Sequence, residues 1–196
     1  TNSAILIANV LYYNNPNRIR FLEYEGSMEL LISLIEKENF DWGITEACLR
    51  ALLSLSYIDA ASLWLGTEGN CIPILLKFLE PSVISNESFC SKYSLEILNN
   101  MCIHHTIRRS ILDYNGTNAV VTMLGHSDIN VQQTAMKVLE LLEDVTPIEV
   151  LLKSKQNISL ERLINLLLSN DPLVRAMASE SIGELVWKGG NSTNNM

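Results

Sequence analysis

The sequence predicts an all-α fold, a right-handed α-solenoid of about four three-helix repeats preceded by a partial one. Three observations carry this reading. Apolar residues recur every 41 to 46 positions, with Ile7, Leu52, Leu98, Leu139 and Ile182 heading matching segments and Val10, Leu55, Met101, Leu142 and Leu185 three positions later. A second column, Ile35, Leu79, Leu124 and Leu167, keeps a stride of 43 to 45 residues, each member preceded by Leu34, Phe78, Met123 or Leu166. Gly26, Gly69 and Gly116 follow Leu22, Leu65 and Leu112 at a constant distance, with Gln156 after Leu152 in the fourth place; a glycine there suits a helix end that needs positive φ.

The elements follow in order. Residues 1–13 form the last helix of a repeat whose other helices the sequence does not contain, so the chain reads as an excerpt of a longer protein. Full repeats span about 14–58, 59–104, 105–145 and 146–188, each a short helix, an apolar helix, a polar turn and a longer amphipathic helix. Asn15-Pro16, Thr146-Pro147 and Asp171-Pro172 mark helix starts, the polar residue capping free amides and the proline taking the first helical position. Ile72 to Leu79 reads as a second helix and Ala47 to Ser56 as part of a third. On the third helices, Ser3, Cys48, Ser94, Ala135 and Ala178 sit one turn before the Ile7 to Ile182 column and let neighbours approach closely. The stretch Glu80 to Ser88, with Pro81 and three serines, reads as an exposed loop, and residues 189–196 as a loose tail.

Composition narrows the function classes. The 196 residues are 47% hydrophobic and 7% aromatic, enough apolar material to fold without disorder, and burial is spread over interfaces between repeats. A net charge of -8, from 22 acidic and 14 basic residues, opposes binding to nucleic acid, which needs clustered cations. No apolar run approaches the ~20 residues of a membrane span. Cys48, Cys71, Cys90 and Cys102 form no C-x-x-C pair, so they read as reduced thiols of a cytoplasmic or nuclear protein. The N-x-S/T triplets at Asn86, Asn115, Asn157 and Asn191 are those an Asn-rich chain produces by chance.

Catalysis has little to stand on. Cys102, His104 and His105 are the only concentrated candidates, and adjacent histidines at a helix end point in different directions. Neither G-x-G-x-x-G nor G-x-x-x-x-G-K-S/T occurs. The expectation is a protein that is not an enzyme and holds neither metal nor cofactor.

The glycine at the first turn, the "IPILLKFL" helix, and "ACLRALLSLS" with its counterparts "SLEILNNMC" and "AMKVLELLE" resemble the armadillo repeat family across nearly the whole chain. HEAT repeats, the near neighbours, usually carry two helices, and the short segments before Gly26, Gly69 and Gly116 favour three. The resemblance implies that the third helices line a concave groove holding a peptide or a folded partner. The family's Trp and Asn ladder is missing: Ile5, Arg50, Glu96, Lys137 and Glu180 stand at the Trp position, and Asn9, Ser54, Asn100, Leu141 and Glu184 at the Asn position. Lysine-rich localisation signals therefore lose their stacking platforms. The implied groove is a mixed strip of Arg50, Ser54 and Tyr57, then Glu96, Asn99 and Asn100, then Lys137 and Glu140, whose carboxamides suit a backbone clamp.

Tyr12, Tyr57 and Trp187, one turn beyond, are candidate anchors or packing residues, and Arg18, Arg20, Arg108 and Arg109 lie on first helices in local ion pairs. The expected function is a non-catalytic interaction scaffold or adaptor. The alternative is a regulatory factor for a nucleotide-dependent partner, either a chaperone nucleotide-exchange factor or a GTPase-binding cytoskeletal regulator. The open first repeat leaves apolar surface beside Ile7 and Val10, a candidate for self-association.

Overall fold

The computed structural model describes residues 2–36, 41–80, 88–143 and the isolated positions 167, 175, 176, 179, 182 and 183. The segment expected at 146–188, with Leu166, Ala178, Leu185, Trp187 and the two later proline starts, lies almost wholly outside them, as do residues 81–87 and the tail. Among the described residues the chain is all-α, ten helices without a strand: α1 Asn2–Leu11, α2 Asn15–Leu22, α3 Ser27–Ile35, α4 Trp42–Ser56, α5 Asp59–Gly66, α6 Ile72–Lys77, α7 Ser88–Met101, α8 His105–Asp113, α9 Gly116–Met123 and α10 Ile129–Glu143.

Local chemistry sets the ends. Asn14, in extended backbone, accepts from the Asn17 amide at 3.0 Å and caps α2, so the cap lies one residue before the expected Asn15 and Pro16 sits within the first turn. Asp41 caps α4 through the Ile44 amide at 3.2 Å. Helix α6 stops at Lys77, two residues short of the expected Leu79, yet Phe78 and Leu79 remain fully buried just past its end.

Only one of the three punctuating glycines takes the left-handed conformation: Gly26, at φ +75. In the next two units that conformation moves to a neighbouring asparagine, Asn70 at φ 43 and Asn115 at φ 59, a residue type that tolerates it. Gly116 is needed instead for space, because a Cβ there would lie 2.7 Å from the Ile111 carbonyl oxygen.

The long helices pack in sequence, α1 against α4, α4 against α7 and α7 against α10, while α3, α6 and α9 pack on α4, α7 and α10 in turn. The expected columns form the core of this stack. Leu52, Leu98, Leu55, Met101 and Leu142 are fully buried, as are the small residues Cys48, Ser94 and Ala135 that let the long helices approach. On α1 the same columns lie open: Ser3 is exposed, Ile7 half-buried and Val10 46% exposed. Leu6, Ile7, Val10 and Phe21 line an open, apolar groove of about 260 Å³ between α1 and α2, in line with uncovered apolar surface at this end.

Candidate functional site

The long helices α4 and α7 bury faces against the neighbours on either side, α1 buries one face, and each turns another outward, where residues spaced three and four apart form a stripe. The stripe runs through Ile5 and Asn9 on α1 with Tyr12 just past its end, Glu46, Arg50 and Leu53 on α4, Lys92, Tyr93, Glu96 and Asn99 on α7, and Gln133, Lys137 and Glu140 on α10. Because the long helices stack in order, these stripes lie side by side as one wall.

Of the eight residues expected on this wall, Tyr57, Lys137 and Glu140 are exposed, and Arg50, Glu96, Asn99 and Asn100 are half-buried. Ser54 departs from the expectation. Its side chain is buried and its hydroxyl donates to the Arg50 carbonyl at 3.0 Å, because its position turns toward the neighbouring helix. Asn100 is already engaged as well: its amide donates to Ser56 Oγ at 2.9 Å across the α4–α7 joint. Arg50 reaches the other way and donates from Nη2 to Asn9 Oδ1 at 3.2 Å. These side chains hold neighbouring units together while edging the wall.

Electrostatics divide the wall. Burial raises the Glu96 carboxyl above the ordinary carboxylate range, with Lys92 opposing and Asp128 adding to the rise. Tyr93 is also raised, first by burial and then by Glu46, while Arg50 and Lys92 work against the shift. Lys92 pairs with Asp128 at 3.3 Å and so joins α7 to the start of α10. The Asn130 amide donates to Asp128 Oδ1 at 2.9 Å, and this backbone bond is the chief reason the Asp128 carboxyl is lowered.

Sequence reasoning missed Glu46, Lys92, Tyr93 and Asp128. The first three were within reach, since each lies one helical turn before a chosen residue and therefore on its face. Asp128 sits in a turn, where helical periodicity says nothing.

The first-helix arginines correct another expectation. Arg18 is buried and donates from Nε to the Leu11 carbonyl at 2.9 Å, and Arg108 donates from Nη1 to the Cys102 carbonyl at 3.0 Å. Each serves a carbonyl at the end of the preceding long helix, that of Leu11 also accepting from the Asn14 amide at 3.3 Å, and among the described residues neither makes the expected local ion pair. The Arg18 guanidinium also lies over the Tyr57 ring, 5.4 Å from its centroid, so Arg18 touches the wall from behind.

The Cys102, His104 and His105 stretch does not converge on a common point. Cys102 is fully buried and its thiol is pushed up to about 12 by burial; His104 lies 3.5 Å from Asp59; His105 is exposed at the start of α8. Among the described residues no three His, Cys, Asp or Glu side chains are grouped as a metal would require, and no helix is long and apolar enough to cross a membrane.

No protein-family model matches this sequence, and no curated protein sequence matches it. Its fold is shared by engineered proteins solved in the crystal by the Northeast Structural Genomics Consortium. One is similar at a TM-score of 0.67 and 22% identity over 90% of this chain, which spans 41% of that protein's length. A second, at 0.66 and 20% identity, is matched over 90% of this chain and 70% of its own, and a third, at 0.61 and 19%, over 93% and 88%. At such identities the likeness is one of fold alone.

Proposed function

We propose that the chain is an α-solenoid of armadillo-like three-helix repeats, and that it acts as a non-catalytic scaffold whose wall of third helices holds a protein partner. The observation that carries the reading is the continuity of the outward stripe. Three successive long helices, α4, α7 and α10, each present polar residues in the same register, with Arg50, Glu96, Asn99, Lys137 and Glu140 accessible along them. Burial in such an array lies mainly between neighbouring units, so that on this face Arg50 spends one bond on Asn9 while Lys137 and Glu140 stay exposed. Half-buried charges and amides without an apolar function suit the recognition of an extended or helical segment, whose backbone and polar side chains offer matching donors and acceptors.

The test is a comparison of partners captured by the native chain and by two triple-alanine variants with unchanged circular dichroism. One carries Arg50→Ala, Asn99→Ala and Lys137→Ala on the wall; the other carries Glu29→Ala, Arg109→Ala and Asn118→Ala elsewhere on the surface. Loss of specific partners with the wall variant alone is the expected result. Equal recovery with both variants places the interaction surface elsewhere.

A further inference from the structure

The chain as a whole is acidic, at -8, yet one corner of the wall is locally basic and aromatic. At the junction of α1, α2 and α4, Tyr12, Tyr13 and Tyr57 are 59%, 85% and 60% exposed. Two guanidinium groups stand among them. Arg18 lies behind the Tyr57 ring, and Arg50 and Tyr57 are both near enough to Tyr12 to act on its phenol electrostatically.

Neither arginine has a carboxylate within 4.0 Å among the described residues. Each spends one donor on a neutral acceptor, Arg50 on Asn9 and Arg18 on the Leu11 carbonyl, out of the five N–H groups a guanidinium offers. Tyr93, further along, experiences the carboxylates Glu46 and Glu96 together with the cations Arg50 and Lys92, whereas Tyr12 experiences one cation and two phenols and no carboxylate. An exposed aromatic surface backed by unspent guanidinium donors is complementary to an anion that also carries apolar area.

Resting on the wall reading above, we propose that this corner docks an acidic segment of a partner protein: a carboxylate meets Arg50 while an adjacent apolar side chain packs on Tyr12 and Tyr57. A long nucleic acid does not fit this role, since the remaining surface repels a polyanion, whereas a short acidic segment engages the corner alone. Arg18 positions the Tyr57 ring, and Arg50 makes the direct contact.

The experiment selects a phage-displayed library of random peptides on the native chain and measures the enriched peptides, made synthetically, against four variants: Arg50→Gln, Tyr57→Ala, Asn9→Ala and Lys137→Gln. All four are first matched to the native chain in melting temperature. The expected result is enrichment of acidic peptides with a neighbouring apolar residue, weakened by added salt and at least about tenfold by Arg50→Gln. Tyr57→Ala also weakens them, whereas Asn9→Ala, which removes the acceptor and leaves the cation, does not. Enriched peptides that depend on Lys137 but not on Arg50, or that carry no net negative charge, overturn this inference and leave the wall reading standing. Peptides indifferent to every wall substitution, or a library from which nothing is retained, overturn both.

Discussion

At the scale of single residues, buried polar and ionisable groups have clear physical signatures. Arg18 has the largest structural duty among the cations, since its side chain is buried and closes the carbonyl end of α1. Removing it leaves that carbonyl with only the longer bond from the Asn14 amide at 3.3 Å and strips the back of the Tyr57 ring. Arg18→Ala is therefore expected to destabilise the fold by about 1.5–3 kcal/mol, the range for a hydrogen bond to a charged group, as read from urea unfolding. The thiols of Cys48, Cys71 and Cys102 are raised by burial from 9.0 to about 11, 12 and 12. The sign follows from proton binding: between the unfolded and folded values the unfolded chain has released protons that the folded chain retains. The stability these thiols contribute is thus fully present below pH 9.0 and is lost as the pH rises through about 11 to 12. A melting temperature that falls steeply above pH 9.0, together with thiol labelling of these residues only on unfolding, is the expected outcome. A thiol labelled rapidly in the native state would contradict its burial.

At the scale of elements, the apolar columns were readable because helical periodicity and burial are the same physical fact seen twice. Leu98 sits in the middle of α7, fully buried between α4 and α10, and Leu98→Ala is expected to cost about 2–5 kcal/mol, measured as a shift of the denaturant midpoint. Helix ends were read less well, for reasons local to each. Asn14, Asn15 and Asn17 are all able to cap, and the backbone selects Asn14 by taking extended φ and ψ one residue earlier. The left-handed turn passes from glycine to Asn70 and Asn115, since asparagine can replace glycine there, while Gly116 is held by the nearby Ile111 carbonyl rather than by its φ. Ser54 was assigned to the wall by repeat alignment, but a short hydroxyl can satisfy itself on its own helix and so be buried, and alignment cannot foresee that choice. The Arg18 and Arg108 caps were invisible for a similar reason: a cation in sequence suggests a carboxylate, and only geometry reveals a carbonyl partner.

At the scale of the whole molecule, each long helix finds its main partners in the helices just before and just after it, so cohesion is passed along the stack from neighbour to neighbour. The described array is uncovered at α1, where Leu6 is 64% and Val10 46% exposed, and closed at α4 and α7, where the matching columns are inaccessible. Hydrogen exchange followed by mass spectrometry should accordingly show the amides of α1 and α2 exchanging faster than those of α4 and α7. Uniform protection would mean that the chain unfolds as one block. The order of this stack was legible from repeat spacing, whereas the charge pattern of the wall was not, because it depends on which side chains neighbouring helices bring within a few ångströms of each other.

Three polar ties cross successive joints of the wall: Arg50 to Asn9, Asn100 to Ser56, and Lys92 to Asp128. The first two are anchored by an uncharged acceptor, while the third links two charges that are each one third accessible to water. Ionic strength therefore loosens the last of these rivets before the others, so that salt slackens the joint between α7 and α10 first while the tyrosine-bearing side keeps its tie.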